Sequence, residues 1–363
     1  TIISTLGCSS EPSSTESVSD QSKASYKQDI KTQTDKPTIT AFLKNAGPNE
    51  GITTAFEQGM KLALESSANK LNLTVLDRDQ GITNSVEFKS SIANNPLIIY
   101  WQTTDIAPVE SILRQSKVIT VPVWDVTEKV AYLSRNVYGF GYATEPSYAE
   151  LAKFAGNKLK SYRFAVLSAL AEPFEKQSAA FVEESKSLGN TIVFEEKVDT
   201  NTVDFKNIIT RATKEGCDTI FATLPGDAIV AFIKEARALS FKGKILVGDS
   251  LFETQRAALG KDAEGIYVLQ AWSSDAEFKS QYTKKYGAEP DGITLGAAAL
   301  GYDLVKCIDQ VGADLTPDKI SYSWLSNPCI GLTGKTQFSG ERIALREKQI
   351  LTVKGDKFEP ASN

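Results

Sequence analysis

Histidine is absent from all 363 residues. Without an imidazole the chain cannot assemble a Ser-His-Asp or Cys-His nucleophile or an HExxH zinc site, and no side chain has an unperturbed pKa near 7. Cysteine is scarce, with four residues, and no CxxC or other metal-ligand spacing occurs among them. Charge is nearly balanced, with 40 basic and 45 acidic side chains for a formal net charge of -5, and no basic cluster appears of the kind a nucleic-acid partner needs. Nowhere do about 18 apolar residues run together, so no segment reads as a membrane-spanning helix. These absences favour a binding protein over an enzyme, with no cofactor, no metal and no nucleic acid.

What is present is an ordinary globular composition, 41% hydrophobic and 9% aromatic, at a length that suggests two domains. The first 36 residues stand apart. From Ser9 to about Lys36 the chain is Ser, Thr, Gln, Asp, Glu and Lys with almost no apolar residue, too polar to offset its ordering entropy, so it reads as a disordered tether. Leu6-Gly7-Cys8-Ser9 resembles the end of a bacterial lipoprotein signal peptide, which makes Cys8 a candidate for lipid attachment. Thr5 stands where leucine is usual, and an incidental cysteine in a polar terminus is the alternative. A lipid at Cys8 would be the chain's sole hold on a membrane. Cys217 opens an apolar strand and reads as a buried free thiol. A disulfide between Cys307 and Cys329 is compatible with an exported protein, and two free thiols are the other option.

From Pro37 onward strands and helices alternate. The pattern predicts strands at 38–44, 73–77, 96–101 and 117–124, with helices at 51–70, 82–94 and 105–116 between them. A second series follows Tyr138-Gly139-Phe140-Gly141-Tyr142, with strands at 163–170, 191–198, 218–224, 244–249 and 265–272 and helices between, and then three helices and a β-rich tail. Unalternating β-branched strands separated by amphipathic helices specify parallel sheets covered on both faces. The fold class is therefore α/β, two doubly wound parallel-sheet lobes, with a ligand expected where strand C-termini face a crevice.

Several stretches in order, GPNEGITTAFEQGMKLAL, VPVWDVT, DFKNIITRATKEGCDTIF, IKEARALSFKGKILVGD, YGAEP with AAALGYD, and GLTGKTQFSGER, resemble the type I periplasmic solute-binding proteins of the branched-chain amino-acid class, the receptors of ABC transporters. The resemblance runs from about Thr38 to the C-terminus. It implies a hinge crossed three times, with lobe I at about 37–143 and 271–331 and lobe II at about 144–270 and 332–361.

The site residues follow from chemistry and resemblance together. A zwitterion needs hydroxyls or N–H groups for its carboxylate and an acid for its ammonium. Gln102, Thr103 and Thr104 stand where a strand ends and a helix begins, an arrangement that suits an anion or is a plain cap by Thr104 or Asp105. The resemblance gives Thr103 the carboxylate grip. Trp124, Asp125 and Thr127 form the second loop; the family pattern has small residues at the first two, so the pocket is reshaped, and Trp124 is either a stacking platform or a core side chain. Asp249 falls on the family's acid for the substrate ammonium, or Ser250 does if the register slips by one; a helix cap near Leu251 is the competing role. Phe174 keeps a stacking surface but lacks the family's hydroxyl, and Pro225 replaces a second tyrosine.

The resemblance implies a periplasmic or cell-surface lipoprotein, a monomer that closes on a small polar solute, an amino acid or related amide, and delivers it to an ABC permease. The alternative is a lipoprotein interaction or regulatory module with a degenerate cleft, marked by side chains that close the cleft themselves. With no histidine in it, such a site is expected to hold its charge fixed between about pH 5 and 8.

Overall fold

The structure is a computed structural model that describes residues 36–43, 50–69, 71–77, 86–287, 289–346 and 348–361. The tether, Cys8, most of the first polar turn and the start of the predicted helix at 82–94 lie outside the described residues.

Two sheets carry the fold. The first has four parallel strands in the order Asn72–Asp77, Thr38–Leu43, Leu97–Tyr100 and Ile119–Pro122. The second has seven, in the order Lys357–Pro360, Gln349–Lys354, Tyr267–Gln270, Lys244–Val247, Thr219–Thr223, Arg163–Ala169 and Thr191–Val198. Its five inner and far strands are parallel, as their apolar runs require; the two contributed by the tail pair antiparallel at one edge. The central strands are buried on both faces, whereas the edge strands Asn72–Asp77 and Thr191–Val198 are partly exposed. No described helix is long and apolar enough to cross a membrane.

Most predicted elements appear within a few residues of their expected ends. The helix expected at 105–116 does not form as such: residues Thr103–Val109 make a 3₁₀ turn and the α-helix spans only Glu110–Leu113. Pro108 inside the segment has no N–H to donate, which prevents a regular α-helix from starting there.

The chain passes between the two sheets three times. Residues 137–143 run out from the first sheet, with N–H groups of Tyr138, Phe140 and Tyr142 bonded to the carbonyls of Thr120, Pro122 and Trp124. The second pass is at Ala271–Trp272. The third returns beside the first, where Gly139 donates to Arg342 O, Ala344 donates to Gly139 O and Ala143 donates to Arg346 O. Before that return, the tail packs on the first sheet's side. The Phe338 ring stacks on Trp324 at 5.1 Å, Asp303 accepts the N–H groups of Leu332 and Thr333 at 2.7 Å each, and Cys307 and Cys329 are joined by a disulfide with Cα atoms 5.5 Å apart. Cys217 is free and buried.

Helices Glu50–Leu64 and Gly292–Asp309 form the tightest helix pair. At Gly59 a Cβ would lie 1.8 Å from Ala298 O, and at Gly301 it would lie 2.1 Å from Phe56 O. The backbones touch because each of these glycines faces a carbonyl of the opposite helix, Gly59 that of Ala298 and Gly301 that of Phe56. Gly59→Ala should therefore destabilise by about 1–3 kcal/mol through overpacking, even though alanine favours a helix by about 1 kcal/mol. Chemical denaturation reads the sign, and a stabilised variant would contradict the close approach.

Candidate functional site

Both sheets direct strand C-terminal ends into one crevice, and the residues there come from loops that each strand positions. On the first sheet's side, Trp101 and Trp124 follow adjacent strands and stack with ring centroids 4.8 Å apart. Trp124 also meets Tyr142 edge-on. Asp125–Val126 then pairs with Tyr142–Ala143 as a two-residue parallel ribbon. At Gly141 a Cβ would lie 2.5 Å from the Val123 carbonyl, so only glycine lets the first pass run this close. On the other side, Asp249 lies just beyond strand Lys244–Val247, its Oδ1 accepting from Gln177 Nε2 at 3.0 Å and its carbonyl from Gln270 Nε2 at 2.7 Å.

A lysine fills the space between them. Lys348 Nζ donates to Asp125 Oδ1 at 2.7 Å and to Asp249 Oδ2 at 2.5 Å, and lies 5.9 Å from the centre of the Trp124 ring. Its backbone N–H is tied to Ser147 Oγ at 3.1 Å. All three charged residues are buried, the lysine side chain to 1% exposure. Removing one member of such a set leaves an uncompensated charge and costs about 3–5 kcal/mol. Burial alone would lower the Lys348 pKa, yet the two carboxylates hold it above its ordinary value. Asp125 is pushed up to about 6, chiefly by burial and then by the charge of Asp249, with Lys348 opposing. The expectation of a charge fixed by the lack of histidine is thus corrected, because a desolvated aspartate titrates in the same range.

The loop of Gln102, Thr103 and Thr104 is largely satisfied by the protein itself. Thr103 Oγ1 donates to Asp125 O at 3.0 Å and accepts from Thr127 N at 3.3 Å, and the Gln102 N–H is taken by Asp105 Oδ2 at 2.9 Å. Asp105 therefore has the capping role, while Thr104 Oγ1 donates to Gln102 Oε1 at 3.3 Å. One N–H of this loop, that of Gln102, is thus committed to a carboxylate. Asp249 caps no helix, since the next one is Glu253–Leu259 with Phe252 before it; Ser250 sits half-buried in the intervening turn. Phe174 packs, half-buried, against the core, and its carbonyl accepts from Thr223 Oγ1.

Beside Asp125 remains a cavity of about 10 Å³, room for about one water. Gln102, Thr103, Thr104, Asp125 and Thr127 line one wall, and Thr144, Glu172, Pro173 and Gln177 the other. Among the described residues, Thr127 Oγ1, Thr144 Oγ1 and Gln177 Oε1 are buried there without a hydrogen-bond partner. At the rim, Lys129 pairs with Glu172, and Lys176 with Glu128 at 3.2 Å. Both pairs span the crevice. They are exposed and contribute at most about 1 kcal/mol each.

A model described as a periplasmic binding protein matches residues 39–348 of this chain. The chain belongs to the periplasmic binding protein family. Solved structures agree on the type I fold. A leucine binding protein, LivK, of Thermotoga maritima superposes with a TM-score of 0.77 at 20% identity, covering 90% of this chain and 98% of that one. LivJ of Streptococcus pneumoniae, in complex with isoleucine, gives 0.75 at 17%, covering 90% and 98%. A solute binding protein of R. palustris in complex with benzoate gives 0.73 at 15%, covering 89% and 94%. Periplasmic binding proteins of ABC transporters are receptors that act outside the cytoplasm, so the family accounts for a crevice with binding groups from both sheets.

Of the expected site residues of this periplasmic binding protein, Gln102, Thr103, Thr104, Asp125 and Thr127 share the residual cavity, and Asp249 meets them through Lys348. Trp124 is both stacked in the core and beside the ammonium. Phe174 and Ser250 are not among the cavity's walls. Lys348, Gln177, Gln270 and Thr144 escaped sequence reasoning. Lys348 merges into the strand pattern KQILTVK, and nothing local marks it.

The raised Asp125 pKa fixes a sign. A folded carboxyl that keeps its proton to higher pH than the unfolded one contributes stability at acidic pH that is lost as pH rises through about 6. The difference in thermal midpoint, protein minus its Asp125→Asn variant, should therefore fall between pH 5 and pH 7. A flat difference would remove the proposed titration.

Proposed function

We propose that the chain is the extracytoplasmic receptor of an ABC transporter and binds a small polar solute, an amino acid or related amide, between two lobes that close about the three chain passes. The observation that carries this reading is the crevice itself, lined by polar residues from both sheets, among which Thr127 Oγ1, Thr144 Oγ1 and Gln177 Oε1 are buried without a hydrogen-bond partner. Buried polar atoms left in that state cost free energy, and a solute's amide or hydroxyl groups would satisfy them. Lobe I would take about 37–143 and 271–331, and lobe II about 144–270 and 332–361; the bonds of Gly139 and Ala143 to Arg342, Ala344 and Arg346 support extending lobe I to about 346. A cavity of about 10 Å³ admits no solute, so entry needs the lobes to part by hinge motion. A lipid on Cys8 would hold a monomeric receptor at the membrane beside its permease.

One observation favours a second reading, an interaction or regulatory lipoprotein module. Lys348 and the rim pairs close the crevice with the chain's own side chains, which is the mark of a degenerate cleft.

Thermal shift followed by calorimetry separates the two. For a receptor, at least one member of a panel of amino acids, short amides and aromatic acids should raise the midpoint by several degrees and titrate one-to-one, since a ligand of the folded state stabilises by mass action. Silence across the panel would favour the interaction module.

A further inference from the structure

We propose that the chain's own Lys348 is the resident occupant of the space between Asp125 and Asp249, and that its ammonium excludes any other cation from that space. The two carboxylates come from opposite sides of the crevice, 2.7 and 2.5 Å from Nζ. The Trp124 ring lies within cation–π reach at 5.9 Å. Each acid is held in place by neighbours that do not need the lysine: Gln177 and Gln270 fix Asp249, and Thr103 fixes the Asp125 backbone. The cage is thus built by strand ends of both sheets, whereas the cation arrives on the returning tail, anchored through its N–H to Ser147.

Specificity follows, on the reading of this crevice as a solute site. A solute with a free ammonium has to expel a tethered competitor of very high local concentration. A solute carboxylate meets a cluster of two acids and one base, which carries a net negative charge. The remaining polar atoms, two hydroxyls and an amide oxygen, suit an uncharged polar group. The receptor therefore selects amides or similar neutral solutes over α-amino acids.

Replacing Lys348 with alanine deletes three carbons and the nitrogen, the shape of n-propylammonium. Lys348→Ala should be destabilised, and about 50 mM n-propylammonium chloride should raise its midpoint by about 3 °C or more, saturably, relative to sodium chloride of equal ionic strength. The unaltered protein should not respond. A folded Lys348→Ala variant that ignores the amine overturns the proposal. Should that variant not fold, Lys348→Ala combined with Asp125→Asn keeps one carboxylate with less repulsion, and it too must respond, more weakly; indifference again overturns the idea. Amine rescue without solute binding by the unaltered protein would sink the receptor reading alone, and solute binding without rescue would sink this one alone.

Discussion

An ammonium buried between Asp125 and Asp249 has to be compensated where it sits, and that requirement ties together three stretches of chain far apart in sequence. Each partner is costly alone: an isolated buried charge loses several kcal/mol of hydration. The set is stable because one cation meets two anions with short hydrogen bonds, and it persists only while both sheets face each other closely. The lysine is neutralised where the two sides of the crevice meet.

The surroundings are arranged to support this contact. The Trp101–Trp124 stack and the ribbon of Asp125–Val126 with Tyr142–Ala143 hold one acid on a rigid edge. Gln177 and Gln270 hold the other. Around them the rim pairs Lys129–Glu172 and Glu128–Lys176 cross the crevice in solvent, where screening keeps them weak. The stronger contacts across the crevice are therefore the buried ones at Lys348, on the third chain pass. Desolvation acts most directly on Asp125, whose pKa it pushes up to about 6.

Much of the fold was legible in the primary structure. Apolar β-branched runs such as Leu97–Tyr100 and Thr219–Thr223 have to be buried on both faces, which fixes parallel sheets and covering helices. The segment after strand Leu97–Tyr100 departs from the single helix that its pattern predicts because Pro108, which lacks an N–H, interrupts it. Within the site, strand-end residues were readable in proportion to their position: Thr103, Asp125 and Asp249 stand where topology brings strand termini together. Thr103 nevertheless has its hydroxyl engaged by its own protein, since backbone groups 22 and 24 residues away reach it first.

The sequence by itself determined the α/β class, the order of strands and helices and the exclusion of imidazole chemistry, because each follows from local periodicity or from residue type; the acids at the crevice came with the family resemblance and their place at strand ends. Tertiary structure alone decided what those acids bind. Lys348 lies 223 residues from Asp125 and 99 from Asp249, and no local pattern records that the returning tail passes beneath the crevice. A charge pair forms through space, with a strength set by distance and desolvation, and both quantities exist only once the chain has closed on itself.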